Sequence, residues 1–183
     1  MTFRMNHIWI FVWILVFLIG LKVDCTELLG NKGINTIQNE YYRFFSGLLV
    51  HVNWFHLLIN IISLYFIANF LDGQVAPIKL LVFSVVVGTV TCVIFSMIYR
   101  ECICIGGSPI VFAMLGLMLI LQITNKRVER FTLDSFETRW LFGYAILGNI
   151  PVFSKNISTF VIHFISFAIA LVLGYIGIKL KIL

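Results

Sequence analysis

Two polar residues in separate apolar stretches have the side chains that nucleophilic catalysis needs. Ser108 lies in the sequence Gly-Gly-Ser-Pro at 106–109, and His163 is the only histidine in the last apolar stretch. A serine hydroxyl becomes a nucleophile when a neighbouring base accepts its proton. Ser108 and His163 are therefore the candidate nucleophile and base of a hydrolase.

A second set of polar residues has the chemistry of an oxyanion site. His56 and Asn60 are four residues apart, so on a helix both side chains lie on one face. Each can donate a hydrogen bond to a developing negative charge. Ser108 begins a predicted helix, so its backbone N–H and the positive end of the helix dipole add to the same site.

These residues must be positioned by membrane helices. The chain has 183 residues, of which 61% are hydrophobic and only 11% charged, which excludes a water-soluble globule. Six apolar runs, each near the roughly 20 residues that span hydrocarbon, are predicted as helices. They cover about 7–23, 47–71, 77–99, 108–124, 140–154 and 157–178. The sequence thus predicts an all-α polytopic membrane protein with one domain over residues 1–183.

The distribution of lysine and arginine predicts the orientation in the membrane. An amino terminus in the cytoplasm places eight of the 13 basic residues inside and five outside, which is the preferred arrangement. The second, fourth and sixth helices then begin at the outer face, so His56, Ser108 and His163 lie at a similar depth toward the outer leaflet. The basic residues form no patch, and no nucleic-acid partner is expected.

No acidic residue is predicted near this site. Asp72 and Asp134 fall at the opposite membrane face, and the remaining acids nearest to the outer face lie in loops. We therefore expect a Ser/His dyad in place of a triad.

The three motifs together resemble those of the rhomboid intramembrane serine proteases. The family's second-helix signature stands here as His51-x4-His56-x3-Asn60, and its Gly-x-Ser-Gly appears at 106–109 with proline in the last position. The last-helix histidine is His163, and the resemblance covers about residues 40 to 177. A six-helix rhomboid-like bundle is the fold that it implies.

The resemblance also implies roles for individual residues. Ser108 would be the nucleophile and His163 the general base and then acid, while His56, Asn60 and the Ser108 N–H would bind the oxyanion. Supporting positions are implied for residues in the first loop, the second-helix signature, the serine motif and the turn after the serine, which are Arg43, His51, Gly106 and Phe112. The expected partners are the lipid bilayer and transmembrane protein substrates, with no cofactor and no metal; the oligomeric state is left open.

Three positions depart from the family pattern. Pro109 replaces a glycine, removes one N–H and favours an extended Ser108. Ser166 and Ala170 stand where the family has smaller glycines, which predicts a sixth helix displaced slightly from the fourth. The fifth run is short, and the loop at 148–156 is predicted as a cap over the entry path of the substrate.

Two other functions are compatible with a six-helix membrane chain. A catalytically weak rhomboid-like protein would bind transmembrane segments without cleaving them, and a small-molecule transporter subunit would use the buried polar groups to bind a solute. The presence of both Ser108 and His163 favours the protease. The expected location is a bacterial plasma membrane, with the site facing the outer leaflet.

Overall fold

A computed structural model describes residues 4–150 and 157–183, and in these ranges the regular structure is helical. Five long helices are joined by loops and short helical turns. The long helices are α1 (Met5–Gly20), α5 (Trp54–Leu71), α6 (Pro77–Ile98), α7 (Ser108–Thr124) and α9 (Ser158–Lys179). The shorter ones are α2 (Cys25–Leu29), α3 (Ile34–Ile37), α4 (Arg43–Ser46) and α8 (Phe136–Leu147), with a 3₁₀ turn at Gly47–Leu49.

Three of these helices are long and apolar enough to span a bilayer, within the part of the chain that the structure describes. They are α5, α6 and α9, while α1 and α7 are apolar but shorter. Their outward faces carry exposed side chains such as Phe11, Leu58, Val82 and Phe164. Large apolar surfaces of this kind are favourable in contact with lipid and unfavourable in contact with water.

Three helices begin or end two or more residues away from their predicted positions, whereas α7 occupies the predicted range 108–124. The first, predicted at 7–23, is α1 and ends at Gly20. The predicted helix at 47–71 begins only at Trp54, because the Asn53 side chain accepts a hydrogen bond from the His56 N–H and caps the helix there. The predicted helix at 140–154 runs instead from Phe136 to Leu147, since Ser135 supplies its amino-terminal cap. Residues 151–154 of that prediction lie outside the described ranges.

Helix α7 occupies the centre of the bundle. Every side chain from Pro109 to Met118 is buried, and α5, α6 and α9 pack around it. On α9 the facing residues are small, and a Cβ built on Gly116 would lie 2.8 Å from the Cβ of Ala170. Small residues allow such close approach of two helices.

Ser166 and Ala170, for which the sequence predicts a slight displacement of α9, lie in the contact between α9 and α7; the displacement itself stays a prediction. Both side chains are completely buried between α9 and α7. The Ser166 hydroxyl donates a hydrogen bond of 2.5 Å to the Pro109 carbonyl, immediately beside Ser108. The larger residue at position 166 therefore links α9 to the start of α7 through a polar contact that a glycine could not make.

The loop between α1 and α5 is held together by Arg43. Its guanidinium donates to the Glu27 carbonyl at 2.7 Å, to the Gly30 carbonyl at 3.1 Å, and to the Glu40 carboxylate at 2.6 Å. The hydrogen bond from Arg43 lowers the pKa of Glu40. Arg43 therefore stabilises the first loop and has its partners there, away from Ser108.

Candidate active site

The segment that leads into Ser108 is fixed by backbone hydrogen bonds to the first loop. The Cys104 N–H donates to the Asn31 carbonyl at 2.7 Å, and the Gly106 N–H donates to the Gly47 carbonyl at 3.0 Å. Gly106 has φ of +124°, a conformation that side-chain-bearing residues rarely adopt. A Cβ on Gly107 would lie 2.1 Å from the ring of Trp13, so α1 packs directly against this segment.

Ser108 and His163 are in hydrogen-bond contact at the start of α7. The Ser108 Oγ lies 2.9 Å from the His163 Nε2, although the two residues are 55 positions apart in the sequence. Phe112, one turn after Ser108, stacks on the His163 ring with centroids 4.2 Å apart and planes at 12°. The imidazole is therefore held in the plane that presents Nε2 to the serine hydroxyl.

His56 and Asn60 lie across the same space from Ser108, one turn apart on α5. Asn60 is completely buried, and its Nδ2 donates to the His56 carbonyl at 3.0 Å, which occupies one of its two amide protons. Ser108 is the first residue of α7, and the N–H groups of a first helical turn have no intrahelical acceptor. The available donors on His56, Asn60 and Ser108 thus belong to one region of the molecule.

His51 contacts the Gly107 backbone on one side and the rings of Trp13 and His56 on the other. Its Nε2 accepts the Gly107 N–H at 3.3 Å, and its Nδ1 lies 3.3 Å from the Leu49 carbonyl. Because Leu49 offers only an acceptor, the bonded tautomer carries its proton on Nδ1. The His51 ring also meets the rings of Trp13 and His56 edge-on, at centroid distances of 5.2 and 5.1 Å. His51 therefore supports the serine segment and has no contact with the Ser108 hydroxyl.

These groups line a cavity of about 560 Å³. Its apolar lining includes Phe95, Ile103 and Ile162. The polar residues in its lining are His56, Asn60, Ser108 and His163, together with Asn53, Tyr144, Ser158 and Thr159. A space of this size accommodates several residues of an extended peptide. Among the described residues, no group of three or more His, Cys, Asp or Glu side chains is arranged to hold a metal ion.

Two residues that the sequence analysis did not connect with the site contact its polar groups. The Asn149 Oδ1 lies 2.8 Å from the His163 Nδ1, and the Tyr144 hydroxyl donates to the Asn60 Oδ1 at 2.7 Å. Both come from α8 and the residues directly after it. Asn149 is an amide and not an acid, and its place in the predicted cap at 148–156 is the signal in the sequence that could have connected it with His163. The rest of that predicted cap, from residue 151, lies outside the described residues.

A family model identifies the relationship of the chain to known proteins. The model of the Rhomboid domain matches residues 38–180, which is most of the sequence and contains every polar group of the cavity. The chain belongs to the rhomboid family. It is an integral membrane protein, as the apolar helices also indicate.

Two curated rhomboid relatives show how far the similarity extends. The rhomboid protease GlpG of Haemophilus influenzae is 25% identical over 163 residues, which cover 89% of this chain and 83% of that protein. RHOMBOID-like protein 1 of Arabidopsis thaliana is 30% identical over 110 residues, which cover 59% of this chain and 28% of that longer protein. The match to GlpG extends along nearly the whole of both chains.

The contact between Tyr144 and Asn60 leads to a prediction about the stability of this rhomboid. Tyr144→Phe keeps the ring that packs 5.4 Å from Phe112 but leaves the buried Asn60 oxygen without its donor. We expect unfolding in detergent to become easier by about 1–3 kcal/mol, the usual cost of an unsatisfied buried polar group. Tyr65→Phe is the control, because Tyr65 is exposed on α5. Equal midpoints of thermal unfolding for the two variants would contradict the prediction.

Proposed function

We propose that this rhomboid-family chain is an intramembrane serine endopeptidase that cleaves other membrane proteins in or near their transmembrane segments. The observation that carries the proposal is the 2.9 Å contact between Ser108 Oγ and His163 Nε2 in a cavity also lined by His56 and Asn60. Nucleophile, base and oxyanion donors at one place are the requirements of acyl transfer. The printed name of the Haemophilus influenzae relative, a rhomboid protease, supports the same activity.

In the proposed mechanism, His163 accepts the Ser108 proton while the Ser108 Oγ attacks the scissile carbonyl. The negative charge on the carbonyl oxygen is stabilised by the Ser108 N–H and by His56 and Asn60. His163 then donates its proton to the leaving amine, and a water molecule activated by the same imidazole hydrolyses the acyl-serine ester. The substrate helix must unwind first, because helical hydrogen bonds shield its carbonyls in the membrane.

We also propose the arrangement in the membrane that the sequence predicts. Residues 1–183 form a single domain that crosses the membrane six times. Three crossings are α5, α6 and α9, and the other three are α1, α7 and α8. The Trp9 indole donates to Ser84 on α6 at 2.9 Å, which supports the inclusion of α1 in this domain. The amino terminus is cytoplasmic and the Ser108 cavity faces the outer leaflet of a bacterial plasma membrane.

The test uses the full chain in liposomes with two readouts. A fluorophosphonate should label one serine, and mass spectrometry of the peptides should locate the label at Ser108, since only an activated hydroxyl reacts. Co-reconstituted single-helix reporter proteins should be cleaved in or near their transmembrane segments. A folded protein that shows neither labelling nor cleavage would exclude the protease and favour a rhomboid that only binds transmembrane segments; saturable binding of a solute would favour a transporter subunit.

A further inference from the structure

The side-chain amide of Asn149 has its orientation fixed by two neighbours. Its Nδ2 donates to the Ala145 carbonyl at 2.6 Å, one helical turn back at the end of α8. A carbonyl oxygen can only accept, so the nitrogen of the amide must face Ala145 and the oxygen must face His163. The Asn149 Oδ1 is then an acceptor 2.8 Å from the His163 Nδ1.

This geometry determines which ring nitrogen of His163 carries the proton. Because the Asn149 oxygen only accepts, the hydrogen bond requires a proton on Nδ1 of the imidazole. In the neutral ring, Nε2 is then the unprotonated nitrogen, and it lies 2.9 Å from the Ser108 hydroxyl. A base that is to take the serine proton needs this tautomer, and with the opposite one Nε2 could accept nothing.

We propose that Asn149 is the positioning residue of His163, an uncharged third member that selects the tautomer and the ring orientation. The inference rests on the proposed function, because it assigns His163 the role of base. An amide fills the place that an acid occupies in a Ser-His-Asp triad, which accounts for the absence of Asp and Glu among the described residues that line the cavity. It also places Asn149, the second residue after α8, in direct contact with the His163 imidazole.

Two variants separate this role from a merely structural one. Asn149→Leu has a similar shape and loses both hydrogen bonds, whereas Asn149→Asp keeps an acceptor for His163 and loses the donor to Ala145. If Asn149 only capped the end of α8, both variants would be equally impaired. If it positions His163, the aspartate variant retains activity and the leucine variant does not. Leu147→Ala, at an exposed side chain of the same segment, is the control for general loosening.

The measurements are the rate of fluorophosphonate labelling of Ser108 and the kcat and KM of reporter cleavage in liposomes. We expect Asn149→Leu to lower labelling and kcat by about 10- to 100-fold with little change in KM, as for loss of a hydrogen bond to a reacting group. Leu147→Ala should remain within about threefold of the wild type, and Asn149→Asp should react at least about threefold faster than Asn149→Leu. Rates should be compared from about pH 6 to pH 9, because a carboxylate also changes imidazole protonation. The other titratable side chains that line the cavity with His163 are the same in all of these variants; they are His56, Cys104 and Tyr144, beside the Ser108 hydroxyl.

Nitrogen NMR of the histidine rings gives a readout that does not depend on activity. The chain has only four histidines, so selective ¹⁵N labelling gives a spectrum that single histidine substitutions can assign. We expect His163 to be protonated at Nδ1 in the wild type and in Asn149→Asp, and to shift toward Nε2 protonation in Asn149→Leu.

Three results would overturn the inference: wild-type rates in Asn149→Leu, equal losses in the leucine and aspartate variants, or an unchanged His163 tautomer in Asn149→Leu. An unreactive Ser108 in the wild type would instead refute the proposed function and remove the catalytic role of Asn149 with it. In that case, the NMR spectra would still report on the hydrogen bond itself.

Discussion

Ser108→Ala is expected to abolish reporter cleavage in liposomes, lowering its rate by about 10⁴- to 10⁶-fold, and to eliminate fluorophosphonate labelling. Alanine lacks the nucleophilic oxygen, and the substitution should not destabilise α7. Ser108 is the first residue of α7, and alanine has a higher helix propensity than serine. Thermal unfolding of Ser108→Ala should therefore remain close to that of the wild type, so that the loss is chemical in origin.

His163→Ala and the double variant test whether the two residues act as one unit. Each single substitution should remove nearly all activity, and the double variant should be no slower than either, because members of a nucleophile–base pair are strongly non-additive. Thr124→Ala is the matched control: it removes a hydroxyl from the opposite end of α7, where the side chain is exposed. Labelling that persists in His163→Ala at more than about a tenth of the wild-type rate would contradict its role as base.

The elements and residues that follow from local helical geometry could be predicted from the sequence. The range 108–124 is bounded by Gly-Gly-Ser-Pro on one side and by polar residues on the other, and α7 has these bounds. His56 and Asn60 share a face of α5 because a spacing of four is one helical turn. The alternation of the predicted crossings led us to expect His56, Ser108 and His163 near one another, and all three line one cavity.

The contacts that depend on tertiary orientation could not be predicted in the same way. Hydrophobicity gave the fifth run only approximate limits, because its start is determined by the Ser135 cap and not by an apolar boundary. The position of Asn149 relative to His163 depends on how α8 ends and how α9 begins, which spacing along the chain does not encode. Nothing in the sequence distinguishes Tyr144 from other aromatic residues, because its hydrogen bond to Asn60 depends on the packing of α8 against α5.

The contact of α1 with the segment before Ser108 also could not be predicted from the sequence. In the sequence α1 is only an apolar run, but the Trp13 ring lies against Gly107 and His51 in the segment that precedes the serine. Aromatic packing of this kind is not periodic and leaves no pattern in the sequence. Its one sign in the sequence is the pair of glycines at 106 and 107, because at each position a neighbouring ring lies too close to allow a Cβ.

Gly106→Ala is therefore expected to inactivate the protein although Ser108 and His163 are both still present. Its φ of +124° is strained for alanine, at a cost of about 1–3 kcal/mol in the free energy of unfolding. The new Cβ would also lie 2.5 Å from the Cε1 and 2.8 Å from the Nε2 of His56. The imidazole has to move away from the position at which we propose that it binds the oxyanion. Because a shift of about 1 Å at a reacting centre can cost roughly 100-fold, Ser108 labelling should fall by at least about that factor.

Gly73→Ala separates backbone strain from the collision with His56. Gly73 also has a positive φ, +72°, but a Cβ there would meet nothing within 4 Å. This variant should lose about 1–2 kcal/mol of stability through strain alone, with Ser108 labelling at the wild-type rate. The difference in labelling between the two alanine variants then measures the contribution of the His56 position. If Gly106→Ala labelled as fast as Gly73→Ala, the oxyanion role proposed for His56 would be wrong, because its ring cannot keep its place beside a Cβ at position 106.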